Sequence, residues 1–246
     1  KDPVKYANKL HINELEELIL TLKDYYYNTD APLVPDSIYD QIEEVLKKRK
    51  PHSLALVQVG APSQGADTPL PFPMASQNKA KAGEGTTSKW MEKYSGPYVV
   101  SHKIDGISLG LIMDGKKAQL LTRGNGLKGS DVSNILNYLD LSPMKGIKLP
   151  HNVKKIAVRG EAIIPKKTWE KYYAHDNPNV RNFVSGAINR ARKDPNPTDL
   201  GRVRFVAFQL IEPKMPVSEQ FKFLKEIGFY VSPHKLEQKL TEKELM

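Results

Sequence analysis

Lys103-Ile104-Asp105-Gly106 closes an alternating apolar run, Tyr98-Val99-Val100-Ser101-His102. An ordinary lysine has a pKa near 10.4, so roughly one in a thousand is neutral at physiological pH. Burial or a neighbouring cation lowers that value and releases a nucleophile. A nucleophilic lysine two residues from an aspartate suggests nucleotidyl transfer, with Lys103 attacking phosphorus and Asp105-Gly106 turning the chain. The alternation predicts a strand over 97–104 that puts Val99, Ser101 and Lys103 on one face. Arg123 and Arg159 are the cationic candidates for its surroundings. K-x-D-G alone is weak, since chance supplies it in roughly one chain of this length in twenty. A surface lysine before a turn is the plain alternative.

Two further segments carry polar chemistry. Thr122 to Gly129 contains G-x-G-x-x-G from Gly124 onward. The dinucleotide-fold reading is poor, because the preceding run ends in Thr122-Arg123 and no acidic strand end follows about twenty residues later. In Ile156 to Pro165, the apolar Ile156, Val158, Ala162 and Ile164 share one strand face, with Arg159 and Glu161 on the other. A carboxylate so placed can accept hydrogen bonds from a ribose or an adenine amine, or form a surface ion pair.

The elements that hold these groups follow from the hydrophobic pattern. Asn13 with Glu16 reads as a helix start, followed by the stripe Leu15, Leu18, Ile19, Leu22 and Tyr26. A second helix opens near Asp36, buries Ile38, Ile42, Val45 and Leu46, and ends in Lys47-Lys48-Arg49-Lys50, a charge run suited to a helix C-terminus. Asp36, Tyr39 and Asp40 share a face roughly opposite the apolar one. Residues 51–87 read as a linker and loop. Beyond them, strands are expected at 97–104, 107–113, 117–123, 154–164 and 203–211, and helices at 88–94, 130–139, 166–174, 180–190 and 217–227. Strands and helices without strict alternation predict an α+β domain with antiparallel sheets.

Composition sets the limits. The 246 residues fit one large domain or a medium one with a small appendage, and 39% hydrophobic residues support a core. Lys and Arg outnumber Asp and Glu 37 to 28, a net charge of +9 that favours a polyanion such as nucleic acid over a merely soluble basic protein. With no cysteine, a disulfide framework and a thiolate zinc site within this chain are excluded. No apolar stretch reaches membrane-span length and no signal peptide is visible, so a membrane or secreted protein is not expected.

Together the lysine, arginine and glutamate segments resemble the nucleotidyltransferase family of DNA ligases, RNA ligases and capping enzymes. Tyr26-Tyr27-Asn28-Thr29-Asp30-Ala31-Pro32-Leu33-Val34-Pro35-Asp36-Ser37-Ile38-Tyr39-Asp40 is similar to the signature of the small N-terminal subdomain of NAD⁺-dependent DNA ligases. The resemblance runs from about residue 13 to about 230. It implies an α+β, ATP-grasp-like nucleotidyltransferase domain of antiparallel sheets flanked by helices over residues 61–246, incomplete at its C-terminus, after a small helical subdomain over 1–60.

The same resemblance implies chemistry. Lys103 takes AMP from NAD⁺ and releases nicotinamide mononucleotide, with Asp105 an essential carboxylate. AMP then passes to a DNA 5′-phosphate and a 3′-hydroxyl seals the nick, in replication and repair. Arg123, Glu161, Ser101, Ile104 and Phe208 would line the nucleotide, and Ser76 and Gln77 the adenine pocket. Arg181 and Asn182 would lie near the substrate. Tyr26, Tyr27, Asp36, Tyr39 and Asp40 would hold the cationic nicotinamide half, for which aromatic faces and carboxylates are suited. Mg²⁺ and nicked double-stranded DNA are the implied cofactor and partner, in an intracellular setting, the cytoplasm of a bacterium or of a virus- or phage-infected cell.

The chain also departs from the family pattern. Tyr27 stands where His is usual, Ser101 where Glu is usual and Asn125 where Asp is usual, and either Asn189 or Arg190 takes a family arginine position. The family's last core motif, D-G-[VI]-V-[VI]-K, does not occur, nor do OB-fold, zinc-finger, helix-hairpin-helix or BRCT segments. A second polypeptide or a further region is the expected source of these. The alternatives are an ATP- or GTP-using relative, a subunit of a split ligase, or a non-catalytic protein that binds nicked DNA.

Overall fold

A computed structural model describes residues 2–28, 33–57, 68–74, 86–142, 146–177 and 179–241. The chain divides into two compact units, residues 1–76 with 123–131, and residues 77–122 with 132–246.

The first unit begins with helices α1 (Pro3–Lys9), α2 (Ile12–Asn28), α3 (Asp36–Arg49) and α4 (Leu54–Val57). Asp2 starts α1 by accepting from Lys5 N at 3.0 Å, with Pro3 in the first turn, where its missing N–H costs nothing. The predicted stripes pack as expected: Leu15, Ile19 and Leu22 of α2 and Ile42, Val45 and Leu46 of α3 are buried, with Leu18 and Ile38 half-buried against them. Each such side chain contributes about 1.5–3 kcal/mol when fully buried.

The start of α2 differs from the Asn13/Glu16 expectation. The helix opens at Ile12, and Glu14 accepts from His11 N at 2.7 Å. Glu16 instead accepts from Ser53 Oγ and pairs with Lys50 at 2.9 Å. Those two partners hold its carboxyl below the usual carboxylate range. Arg49 Nη1 donates to the Ala7 carbonyl at 3.0 Å, so the last basic run partly serves to close α1.

Two short strands complete this unit, β1 (Thr68–Pro69) paired with a later strand at Lys128–Gly129. The glycine-rich loop before that later strand is a tight turn, with positive φ at Gly124 (51°) and Gly126 (91°). A Cβ on Gly124 would sit 1.9 Å from the Lys128 carbonyl oxygen. Asn125 Oδ1 accepts from Leu127 N and Lys128 N at 3.0 and 2.8 Å. The glycines therefore serve the turn. No α-helix begins at its end, as a dinucleotide site would need.

In the second unit the chain runs through α5 (Thr86–Lys93), β2 (Tyr98–Ser101), β3 (Ile107–Asp114) and β4 (Lys117–Thr122). The Lys128–Gly129 strand, β5, belongs to the first unit. Then come β6 (Lys155–Ile163), α6 (Lys166–Tyr172), α7 (Val180–Arg190), α8 (Pro197–Leu200), β7 (Arg204–Glu212), α9 (Val217–Glu226), β8 (Tyr230–Val231) and β9 (His234–Glu237). A five-stranded sheet has the order β4-β3-β6-β7-β8, and β2 pairs separately with β9. The sheets are antiparallel as expected, with one parallel pairing, β7 with β8, at an edge.

Leu109, Leu111, Leu120, Val158 and Phe205 on the sheet pack with Val184 and Ile188 of α7 and Leu224 of α9. The helix expected over 130–139 is reduced to a 3-10 turn at Ser133–Ile135. Val132 N donates to Leu120 O at 2.9 Å, and Leu120 N to Ser133 Oγ at 3.0 Å. These bonds tie the segment to β4, and after the 3-10 turn a single i→i−4 bond remains, Leu139 N to Ile135 O at 3.3 Å.

Candidate active site

Lys103 does not lie on a strand. β2 stops at Ser101, and residues 102–106 form an irregular link to β3, so the shared face of Val99, Ser101 and Lys103 is not realised. The link is nonetheless fixed. His102 N donates to Pro233 O at 2.9 Å, and Ser232 Oγ donates to His102 O at 2.8 Å. Gly106 lies so close to β6 that a Cβ there would stand 2.3 Å from the Ala162 carbonyl oxygen. Lys103 is exposed between these two anchors, with Ile104 half-buried after it.

Asp105 Oδ1 accepts from Arg181 Nη1 at 3.1 Å. Arg181 stands in the first turn of α7, whose N-cap Asn179 accepts from Asn182 N at 3.1 Å. On β6, Glu161 pairs in register with Ser108 of β3 and Val206 of β7. It precedes the Ala162 against which Gly106 packs, so the lysine link and Glu161 meet at one end of the sheet. Arg159 shares the Glu161 face, donates to Gln209 Oε1 at 3.3 Å and stacks near the Phe208 ring at 5.5 Å. Arg159 Nε and Glu161 Oε2 are buried and make no hydrogen bond of their own, while both residues have other interactions within the protein. The second unit thus gathers Lys103, Asp105, Arg181, Glu161 and Phe208. Ser101 ends β2 opposite His234.

At the far end of α7, Asn189 Nδ2 donates to Ser185 Oγ at 3.4 Å, and the Arg190 guanidinium lies over Gly186. A broad groove of about 720 Å³ is lined by Trp90, Tyr94, Tyr98, Val217 and Leu240 and reaches Ser101. The sequence reading missed it. The Trp90 ring lies tilted 5.5 Å from Tyr94, just past the end of α5, and 5.6 Å from Tyr98 at the start of β2, so the regular spacing of four residues was the available signal.

The other candidates belong to the first unit. Arg123 is half-buried where the glycine turn begins, its carbonyl accepting from Gly126 N at 2.9 Å. Tyr39 and Asp40 are half-buried on α3. Tyr39 packs against the helical core, which corrects the expectation that its face is not needed there. Its hydroxyl donates to Glu43 Oε1 at 2.7 Å, a contact that the i, i+4 spacing on α3 could have signalled. Ser76, Gln77 and the side chains of Tyr26, Tyr27 and Asp36 lie outside the described residues.

No group of three or more His, Asp, Glu or Cys among the described residues could cage a metal ion. Mg²⁺ commonly takes one or two carboxylates plus substrate phosphates, and a single carboxylate such as Asp105 or Glu161 fits that mode only with a nucleotide present.

An exposed lysine on an anchored K-x-D-G link, with the aspartate of that link paired to Arg181, suits covalent nucleotidyl transfer. The model of one family, NAD-dependent DNA ligase adenylation domain, matches residues 80–245. The chain belongs to that family. Among relatives of this adenylation-domain family, a DNA ligase of Acanthamoeba polyphaga mimivirus is 39% identical over 90% of this chain and 34% of its own length. DNA ligase 1 of Nocardia farcinica is 36% identical over 81% of this chain and 31% of its own length. A DNA ligase of Helicobacter pylori is 27% identical over 92% of this chain and 38% of its own length. The chain therefore spans about a third of the length of the relatives it matches.

Proposed function

We propose that this chain carries out the adenylation step of an NAD⁺-dependent DNA ligase. The Lys103 amine attacks the α-phosphorus of NAD⁺. A phosphorus–nitrogen bond forms, the pyrophosphate bond breaks, nicotinamide mononucleotide leaves, and the lysine proton passes to solvent. AMP then moves to the 5′-phosphate of nicked DNA, and the 3′-hydroxyl displaces it.

The observation that carries this reading is the Lys103 link, held at His102 and Gly106 with Asp105 ion-paired to Arg181. Positioning of that kind supplies much of the gain in a displacement at phosphorus. Glu161 and Phe208 would face the nucleoside, with Ser101 and Ile104 at its edge. Ser76 and Gln77 would lie at the adenine and Arg123 at the phosphates, while Tyr26, Tyr27, Asp36, Tyr39 and Asp40 would receive the nicotinamide half. Residues 1–60 would then be the nicotinamide-mononucleotide-recognition domain and 61–246 the adenylation domain. Mg²⁺, held mainly by phosphate oxygens, would offset charge.

The net charge of +9 suits a nicked duplex as partner. We propose an intracellular setting, and no described helix is long and apolar enough to cross a membrane. The D-G-[VI]-V-[VI]-K motif is absent from residues 1–246, and a second polypeptide or a further region is proposed as its source for nick sealing.

Mass spectrometry after incubation with NAD⁺, and separately with ATP, tests the reading. An acid-labile AMP adduct from NAD⁺ at Lys103, lost in Lys103→Ala, is expected. An adduct on another lysine would sink the assignment, and an adduct from ATP alone would replace the cofactor.

A further inference from the structure

We propose that Glu43 is a positioning residue for NAD⁺, fixing the Tyr39 ring for contact with the cationic nicotinamide half. This rests on the role proposed above for the first helices.

Groups from two helices act on Glu43, Tyr39 and Lys47 of α3 and Lys23 of α2. Its Oε1 accepts from Tyr39 Oη at 2.7 Å, and its Oε2 pairs with Lys47 Nζ at 3.1 Å one turn further along α3. Lys23 on α2 is buried, with 7% of its surface exposed, and donates to the Ala55 carbonyl of α4 at 2.6 Å. Burial lowers the Lys23 pKa, while the charge of Glu43 works against that shift. Burial likewise pushes the Glu43 carboxyl up, but the Tyr39 hydrogen bond and the Lys47 and Lys23 charges outweigh it and keep Glu43 an anion.

A phenol that donates to an anion is held in one rotamer, since both partners sit on the same rigid helix. Its ring also becomes more electron-rich, because the shared proton leaves charge behind on the phenol oxygen. Both effects favour contact with a cationic ring, a contact worth more when desolvated. Tyr39 is half-buried against the helical core, so it does not rotate freely as a surface tyrosine would. Glu43 would thus act on the nicotinamide through Tyr39, without touching it.

Single-turnover adenylation of the 246-residue protein with labelled NAD⁺ tests this. Glu43→Ala should raise the half-saturating NAD⁺ concentration about five- to tenfold, with the rate at saturation retained within about twofold. Glu43→Gln keeps an acceptor for the phenol and should stay within about threefold of the parent. Tyr39→Phe should match Glu43→Ala, and the double variant should be no worse than either, because both remove one interaction. An unchanged half-saturation in Glu43→Ala, effects that multiply in the double variant, or a Gln variant as poor as Ala would each overturn the proposal. If Glu43→Ala fails to fold, Tyr39→Phe, which removes only the hydroxyl, decides by the same criterion. Tyr39→Ala separates the two readings. If it leaves the NAD⁺ requirement unchanged, the nicotinamide role of these helices fails. If it raises the requirement while Glu43→Ala does not, only the positioning role fails.

Discussion

Arg181 and Asp105, 76 residues apart in sequence, meet at 3.1 Å and join the first turn of α7 to the link that carries Lys103. Asp105 is well exposed, with 72% of its side chain accessible, so the pair contributes little to folding, about 0–1 kcal/mol. Its worth lies in geometry. Arg181→Ala is expected to leave thermal stability nearly unchanged and to slow adenylation on the order of 10²-fold. Melting curves read beside single-turnover rates check both halves. A variant as fast as the parent would show that the pair is only a surface contact.

The first helices are expected to govern the nicotinamide half alone. Deleting residues 1–60, or combining Asp36→Ala with Tyr39→Ala, should suppress adenylation from NAD⁺. A protein already carrying AMP should still pass it to a 5′-phosphate. If the truncated protein reacts with NAD⁺ as readily as the intact one, the helices serve another purpose.

Gly106 is dictated by close approach. A Cβ there would meet the Ala162 carbonyl oxygen at 2.3 Å and Ile163 Cγ2 at 2.7 Å, and the carbonyl belongs to the central strand β6. Backbone cannot yield as a flexible side chain can. Gly106→Ala should therefore cost about 1–3 kcal/mol in urea unfolding and displace the lysine link. A cost near zero would mean that the link parts from β6 easily.

Acid should loosen the helical core from its carboxylates. The Ser53 and Lys50 bonds hold Glu16 below its ordinary 4.5, and Glu43 is also depressed, by the Tyr39 bond and nearby lysines against the opposing effect of burial. A carboxylate depressed in the folded state contributes stability that is complete above the unfolded value. That stability is lost as pH falls through the folded one. Lys23, lowered by burial, adds the opposite limb: stability gained as pH rises towards 10.5. The helical signal should begin to weaken once pH drops below about 4.5, and Glu16→Gln should flatten that dependence. An acid profile identical in Glu16→Gln would remove Glu16 from the account.

The periodic parts of this fold were legible from the residues. The stripes through Leu15, Ile19, Ile42 and Leu46, and the alternation in β6 that sets Arg159 and Glu161 apart from Val158 and Ala162, each report a local period that burial enforces. Errors arose where a long-range partner overrode the local pattern. Val99 to Lys103 alternates like a strand, yet β2 ends at Ser101, because Pro233 opposite His102 accepts its N–H but has none to return, and the His102 carbonyl is met by Ser232 Oγ instead. Residues 130–139 look helical, but Leu120 captures Val132 and Ser133. Neither partner is near in sequence, so no local period could reveal it. At the candidate site, Lys103, Asp105 and Glu161 stood out by type, while the Arg181 bridge and the Glu43 hold on Tyr39 needed coordinates.

The grip of Ser232 on His102 spans 130 residues. Contacts of such separation close late, after the loop entropy of the intervening chain has been met. The link bearing Lys103 is therefore among the last parts of the second unit to be set, although the lysine is made before most of that unit. A nascent or proteolytically clipped chain ending before residue 232 can contain the lysine, the aspartate and the whole of β6, and still leave its nucleophile untethered on one side. Full placement of the Lys103 link would then require that synthesis has passed β8 and reached Ser232.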